Sequence, residues 1–357
     1  MLGFVREKYE GKKVFITGHN GFKGTWLSFL LSEIGAEVAG FSNKEVKKED
    51  HFSQLGLSQA IRNYSGDIRQ QLVLSEAIDE FEPDFVFHLA AQALVRSSYD
   101  DPEDTFSTNV MGSVNLLNAV RSCPSVKSLV FVTSDKCYQN NEWVWGYREN
   151  DRLGGKDPYS ASKAAAELVF ESYKNSFLNK SSNLGAASVR AGNVVGGGDW
   201  SQDRIIPDCV RAIISGKSIE LRNPQSTRPW QHVLEPISGY VLLGAVLSDD
   251  PIKFGGAWNF GPKMEKMRTV EQIASIFIDV FGKGSIVKNN TTPGDYEEAT
   301  LLQLNCEKAH QILKWQPKWN VDEAIEHTVE WYKRTLSGEK ATTVTRQQLE
   351  LYFGERL

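Results

Sequence analysis

The chain has 357 residues, 41% hydrophobic and 24% charged, with 40 Lys and Arg against 45 Asp and Glu. Those fractions exclude a disordered or fibrous chain, and the length predicts two lobes around a full core. The net charge of −5 argues against bulk nucleic-acid binding, although local fields at a site can still take a small anion.

Lys13–Gly18 is a short β-branched and aromatic run that stops at a glycine, and it predicts a strand. Gly18-His19-Asn20-Gly21-Phe22-Lys23-Gly24 follows as a GxxGxxG loop, and Phe22–Ile34 sets Phe22, Trp26, Phe29, Leu30 and Ile34 largely on one helical face. A strand, a glycine loop and a helix in this order cradle a dinucleotide pyrophosphate. Glycine permits close backbone approach, and the helix N-terminus favours anions. Glu37–Phe41 predicts the next strand, whose end reads Phe41-Ser42-Asn43-Lys44 and lacks the usual ribose-binding acid. Ser42 and Asn43 suit a ribose and Lys44 suits a 2′-phosphate, so NAD and NADP both stay open here. Asp67-Ile68 suits either an adenine contact at a strand end or a surface turn after Gly66.

Asp84–Leu89, Ser128–Thr133 and Ala186–Arg190 read as further apolar strands, with amphipathic helices predicted at Pro102–Arg121 and Ser160–Tyr173. Apolar strands separated by helices imply a doubly wound parallel α/β sheet, the Rossmann arrangement. The rhythm breaks after Arg190, where Gly196-Gly197-Gly198, Pro207, Pro224 and Pro229 surround one helix near Ile206–Ser215. A helix near Glu235–Leu247 and a strand at Ala257–Phe260 return to the first domain. The predicted division is therefore 1–190 plus about 235–262 for the dinucleotide, and about 191–234 plus 263–357 for a smaller mixed α/β substrate lobe. Residues after Ser337 are polar and form either a tail or a terminal helix.

Cys123, Cys137, Cys209 and Cys306 are widely scattered, which predicts reduced buried thiols, and six histidines without HxH or HExxH spacing predict no metal. Met1–Lys13 is charged and lacks an apolar core, so no signal peptide is expected there. The longest apolar stretch, Ile237–Leu247, is too short to span a bilayer, and the expected compartment is the cytoplasm.

Tyr159 and Lys163 stand at i and i+4, on one helical face. An ammonium beside a phenol lowers its pKa and lets phenolate take a hydroxyl proton. Thr133 and Ser134 add hydroxyls at the carboxyl end of a strand, where ligands of such sheets bind.

The glycine loop, the strand-end hydroxyl and the Tyr159–Lys163 pair together resemble the extended short-chain dehydrogenase/reductase superfamily. Asn109 matches its helix asparagine, which supports the active-site water and lysine. Within it the chain is similar to the 4,6-dehydratases that act on CDP-D-glucose. Gly18–Leu27, Thr133–Tyr138, Gly192–Trp200, Thr227–Pro236, Pro293–Glu297 and Leu313–Pro317 carry that likeness. The resemblance implies bound NAD, contacts from Leu89, Ala90 and Ala91, and removal of the sugar O4 proton by Tyr159 as hydride leaves C4. It further implies Asp135 as the acid that protonates the departing C6 hydroxyl, with Lys136 as base or enolate-stabilising cation at C5. Arg96, Ser134, Asn193, Arg204, Arg222 and Arg228 are the substrate-binding set it implies; His232 is as readily a packed structural residue. A homodimer through the two long helices is implied as well, with further pairing into tetramers left open. The product would feed deoxy-sugar synthesis for a bacterial surface polysaccharide. A 4-epimerase of the same scaffold, a dehydratase for another nucleotide sugar, or a non-catalytic dinucleotide sensor are the competing readings.

Overall fold

A computed structural model of the chain describes residues 1–178, 184–263, 267–288 and 301–357. The Pro293–Glu297 match lies outside them. Seven strands form one parallel sheet. In chain order they are β1 (Lys13–Thr17), β2 (Glu37–Ser42), β3 (Arg62–Ser65), β4 (Phe85–His88), β5 (Ser128–Val132), β6 (Gly185–Ala191) and β7 (Gly256–Phe260). Their spatial order is β7-β6-β5-β4-β1-β2-β3. The order reverses between β1 and β4, and ligands of open α/β sheets bind at the carboxyl ends beside that reversal. The loops after β1, β4, β5 and β6 therefore share one edge.

The core lies on both faces of the sheet. Trp26, Leu30, Val130, Tyr240 and Trp258 pack on one side, and Phe15, Phe41, Ile78, Leu117 and Phe131 on the other. All four cysteines are buried and unpaired. Among the described residues no helix is long and apolar enough to cross a membrane.

Several elements depart from their sequence pattern. The helix predicted at Pro102–Arg121 is Pro102–Phe106, a π turn at Ser107–Met111, and Gly112–Ser122. The wider turn coincides with Asn109, whose side chain bonds the main chain of Gln92 twice, at 2.9 and 3.0 Å. Leu2–Tyr9 is a helix, hidden in sequence by its charges. It buries Leu2, Val5 and Tyr9, and the Tyr9 hydroxyl donates to the Val241 carbonyl at 3.0 Å. Helix Gln71–Phe81 has no counterpart in the sequence reading. After Ser337 the chain forms helix Ala341–Phe353, which buries Val344, Leu349, Tyr352 and Phe353.

Beyond β6 the strands outside the main sheet are short. Val194–Val195 pairs with Gln231–His232, Ile219–Leu221 with Ile286–Lys288, and Thr227–Arg228 with Arg268–Thr269. Buried Glu235, in helix Leu234–Asp249, ties this part together. It accepts from the main-chain N–H of Lys318 (3.0 Å) and Trp319 (2.8 Å) and from the Tyr352 hydroxyl (2.6 Å). Burial pushes its carboxyl up to about 7. His232 is a packed residue, its ring 5.9 Å from Trp26 and 4.8 Å from Trp319.

Candidate active site

The glycine loop leaves β1 and enters helix Phe22–Glu33. Gly18 has φ 73°, and a Cβ there would lie 2.8 Å from the Ala90 nitrogen. A Cβ on Gly24 would lie 2.1 Å from the Gly18 carbonyl oxygen. Only glycine closes the turn this tightly against Leu89–Ala91 and lets backbone approach a phosphate group. Asn20 Oδ1 is buried without a partner at the same loop, while its Nδ2 donates to the Lys44 carbonyl at 2.9 Å. This cradle suits a dinucleotide.

The rest of the proposed cofactor set sits at the ends of β2 to β5. His19 packs its ring over Gly40, with Nε2 2.9 Å from Asn63 Oδ1. Ser42 Oγ accepts from the Lys44 N–H at 3.1 Å. Asn43 donates to Asp67 Oδ2 at 2.9 Å. Hydrogen bonds from Arg69 above all hold Asp67 down to about 2. The Ile68 carbonyl accepts from Asn115 at 2.9 Å, and its side chain lies on Gly112. The Lys44 ammonium lies 3.7 Å from the Asp50 carboxylate. Thr17 Oγ1 joins β1 to β4, 2.7 Å from His88 Nδ1 and accepting from the Ala90 N–H at 3.2 Å.

Immediately after β5 the chain makes a one-turn 3₁₀ helix, Asp135–Cys137, with Ser134 as its N-cap. Ser134 Oγ accepts from the Lys136 N–H at 3.2 Å and donates to Asp135 Oδ1 at 3.0 Å. Asp135 is 3% exposed, and its Oδ2 is buried without a partner. A Cβ on Gly192 would sit 2.9 Å from that oxygen, so the glycine after β6 makes room for it. Burial pushes the Asp135 carboxyl up, while Lys136, Ser134 and Lys23 pull it back. Lys136 itself is half-buried.

Helix Pro158–Ser176 starts cleanly because Asp157 accepts from the Ser160 N–H at 2.9 Å and Pro158 fills its first turn. It brings Tyr159 and Lys163, both buried, beside that 3₁₀ turn. Burial pushes the Tyr159 phenol up to about 12, and a hydrogen bond with Ser134 and the charge of Arg204 oppose it. Desolvation, rather than the expected lowering by the Lys163 ammonium, therefore governs the phenol. Burial likewise brings Lys163 down to about 8. Asn109 reaches this helix through Ser162, donating to its Oγ at 2.8 Å.

Lys23 is expected with the cofactor loop, and what the sequence concealed is that its ammonium also reaches Asp135 and Lys163. It sits in the first turn of the glycine-loop helix, yet its ammonium feels Arg204, Asp135 and Lys163, and burial lowers it to about 8. Lys23, Lys136, Lys163 and Arg204 therefore gather around Asp135, with Asp199 paired to Arg204. A lysine at a helix N-terminus works against the macrodipole, and that mismatch was the available signal.

Thr133 and two of the arginines do not join this group. Thr133 gives its hydroxyl to Glu167, beneath the turn. Arg96 and Arg222 both bind Asp203, at 3.2 and 2.7 Å, on the exposed rim. Arg204 pairs with the buried Asp199 at 2.9 Å and reaches Tyr159 by its charge. Arg228 donates to the Thr227 carbonyl at 2.8 Å and lines a cavity with Pro229, Trp230, Lys263 and Met267. The Asn193 carbonyl accepts from the Gln231 N–H at 3.0 Å.

The whole-chain likenesses agree with this geometry. Residues 15–328 match the family model described as GDP-mannose 4,6 dehydratase. The chain is 45% identical to the CDP-glucose 4,6-dehydratase of Salmonella typhimurium over 97% of both chains. It is 26% identical to the CDP-paratose 2-epimerase of Salmonella typhi, over 89% of this chain and 98% of that one. Among solved structures it superposes on the dTDP-glucose 4,6-dehydratase of Streptomyces venezuelae, which has NAD bound. The TM-score is 0.76 at 23% identity, over 91% and 98% of the two chains. The Thermus thermophilus UDP-glucose 4-epimerase, solved with NAD, gives 0.75 at 26% identity over 90% and 99%.

Proposed function

The chain belongs to the GDP-mannose 4,6-dehydratase family, and from that premise we propose that it converts CDP-D-glucose to CDP-4-dehydro-6-deoxy-D-glucose and water. Its bound cofactor in this reading is NAD, held by the Gly18–Gly24 loop and Leu89–Ala91. When bound, the nicotinamide stores a hydride taken from the sugar C4 and returns it to C6, so there is no net redox.

The observation that carries the reading is Asp135, buried beside the Tyr159 helix with its Oδ1 3.0 Å from Ser134 Oγ and its Oδ2 without a partner, where burial pushes its carboxyl toward the neutral form. A 4-epimerase needs the tyrosine and a sugar free to rotate. It has no use for a second, protonated acid beside C6. Tyr159 takes the O4 proton while Ser134 steadies the oxygen and the Lys163 ammonium favours the phenolate. The resulting 4-ketone acidifies C5. Lys136 takes that proton, Asp135 delivers its own to the departing C6 hydroxyl, which leaves as water, and C5 regains a proton from Lys136 as C6 is reduced. The cations Lys23 and Arg204 offset the charge of the substrate diphosphate, and Arg228 and Asn193 complete its grip.

Phe106, Met111, Leu168 and Phe177 are exposed apolar side chains on Pro102–Ser122 and at Pro158–Phe177. They support a homodimer through these helices; likeness to the CDP-glucose 4,6-dehydratase supports a cytoplasmic enzyme that supplies a keto sugar to deoxy-sugar synthesis for a surface polysaccharide. Incubating the chain and NAD with CDP-, dTDP-, UDP- and GDP-linked glucose tests the reading. A 4-keto-6-deoxy product from CDP-D-glucose is expected. A 4-epimer, or preference for another nucleotide, would overturn it.

A further inference from the structure

Beneath the Ser134–Lys136 turn lies a buried network that no step above uses. Tyr159, Lys163 and Glu167 follow one another at i+4 steps along helix Pro158–Ser176. Glu167 is 2% exposed. Its carboxylate accepts from the Thr133 hydroxyl, from Ser188 Oγ at 2.8 Å and from Arg190 Nη2 at 2.7 Å. Arg190, 3% exposed, uses Nη1 to donate to the Tyr138 hydroxyl at 2.8 Å and the Glu149 carbonyl at 2.9 Å. Its guanidinium also lies 4.8 Å from the Tyr138 ring centroid. Tyr138 in turn donates to Asn259 Oδ1, on β7, at 2.8 Å.

Thr133 is the residue before Ser134, and Tyr138 is the residue that closes the 3₁₀ turn. One carboxylate and its guanidinium thus hold the turn at both ends. The same carboxylate is fixed to the helix that carries Tyr159 and Lys163. We infer that the Glu167–Arg190 pair is a positioning device for the reaction, setting the distance between the Asp135–Lys136 acid–base turn and the Tyr159–Lys163 helix. This inference rests on the dehydratase reading above.

The physical case is one of direction rather than strength. A buried ion pair is often no more stabilising than well-packed apolar residues of the same volume, because both charges lose their water. Arg190 Nε, buried without a partner, adds to that cost. Directional bonds do what apolar contacts do not: they fix angle and register between three elements at once. A misplacement of about 1 Å between reacting groups costs about 10²-fold in rate. The Glu167 charge also supports the Lys163 ammonium against burial, so the pair bears on protonation as well as on distance.

The test compares the wild-type chain with Tyr138→Phe, Glu167→Gln and the apolar replacement Glu167→Leu/Arg190→Met, with NAD and CDP-D-glucose. Rate, KM, pH profile and thermal midpoint are measured for each. The apolar replacement is expected to lose about 10²-fold in kcat with KM within about threefold and the midpoint near wild type. Glu167→Gln is expected to move the alkaline limb of the rate to lower pH. Wild-type kcat in the apolar replacement would overturn the inference.

If that variant does not fold, the isosteric Tyr138→Phe decides. A loss of about tenfold in kcat with unchanged KM and midpoint supports the device, and an unchanged kcat overturns it. The reading of the substrate is tested separately by the wild-type chain. If it turns over a different nucleotide sugar, the same ratios on that sugar still decide the positioning role. No turnover by the wild-type chain on any nucleotide sugar overturns both.

Discussion

The floor of the cleft and its rim carry charge in opposite ways. On the floor, Asp135, Tyr159 and Lys163 are almost wholly buried, and desolvation moves each toward its neutral form. At the rim, Arg96 and Arg222 are exposed and share the surface carboxylate of Asp203. Groups that exchange protons need a dry setting that tunes them. Groups proposed to meet a soluble anion first need to be reached, and Arg96 and Arg222 stay exposed in their pairing with Asp203. A side chain's distance from water is therefore the guide to its role here.

That contrast breaks most sharply at the floor. Tyr159→Phe keeps the ring and loses the phenol, and product formation is expected to fall by about 10³-fold. A loss under about tenfold would remove Tyr159 from the O4 proton transfer. Asp135→Asn is expected to cost about 10²-fold in overall turnover while C4 oxidation proceeds. The measurement is the nicotinamide absorbance during one turnover, which should show reduced cofactor accumulating. Absence of that build-up, with the rate still reduced, would place Asp135 before the elimination.

The pH dependence sharpens the comparison. Lys163 is cationic below about 8, and Asp135 is favoured as the neutral acid by burial. Both of these forms are lost as pH rises, while the bases Tyr159 and Lys136 act only when deprotonated, so kcat should climb toward pH 8 and break into an alkaline limb there as Lys163 loses its proton. Lys163→Met should remove that limb along with most of the activity. A rate that rises through pH 8 to 9 would contradict the assignment.

The rim gives the smallest effect. Arg222→Ala should raise KM for the nucleotide sugar by a few-fold and leave kcat alone, consistent with about 1 kcal/mol for an exposed ion pair. That change should fade as salt screens it. An Arg222→Ala enzyme with reduced kcat and normal KM would place the arginine on the floor instead.

The parallel sheet was legible because β1, β2, β4, β5 and β6 are continuous apolar runs bounded by glycine or polar turns, and β7 is a short apolar one. Gly18–Gly24 announced its own conformation, since a positive φ at Gly18 and the close approach of Gly24 leave glycine no substitute. Tyr159 and Lys163 were legible because i+4 spacing alone puts them on one face. Helix Leu2–Tyr9 was not, because its three buried residues are diluted by Arg6, Glu7 and Lys8. The reach of Lys23 and the places of Gly192 and Glu167 were illegible for another reason. Each depends on which strand ends lie side by side, a property of the sheet order β6-β5-β4-β1 that no local pattern contains. Likewise, spacing could not say that Thr133 faces down to Glu167 while Ser134 faces the cleft.

The proposed reaction oxidises, dehydrates and re-reduces one sugar in this cleft. It is tested most directly by incubating the chain with NAD and CDP-D-glucose in deuterium oxide. The expected product is CDP-4-dehydro-6-deoxy-D-glucose with one deuterium at C5 and no net reduced cofactor. Recovery of the 4-epimer, or of CDP-D-glucose unchanged, would contradict it.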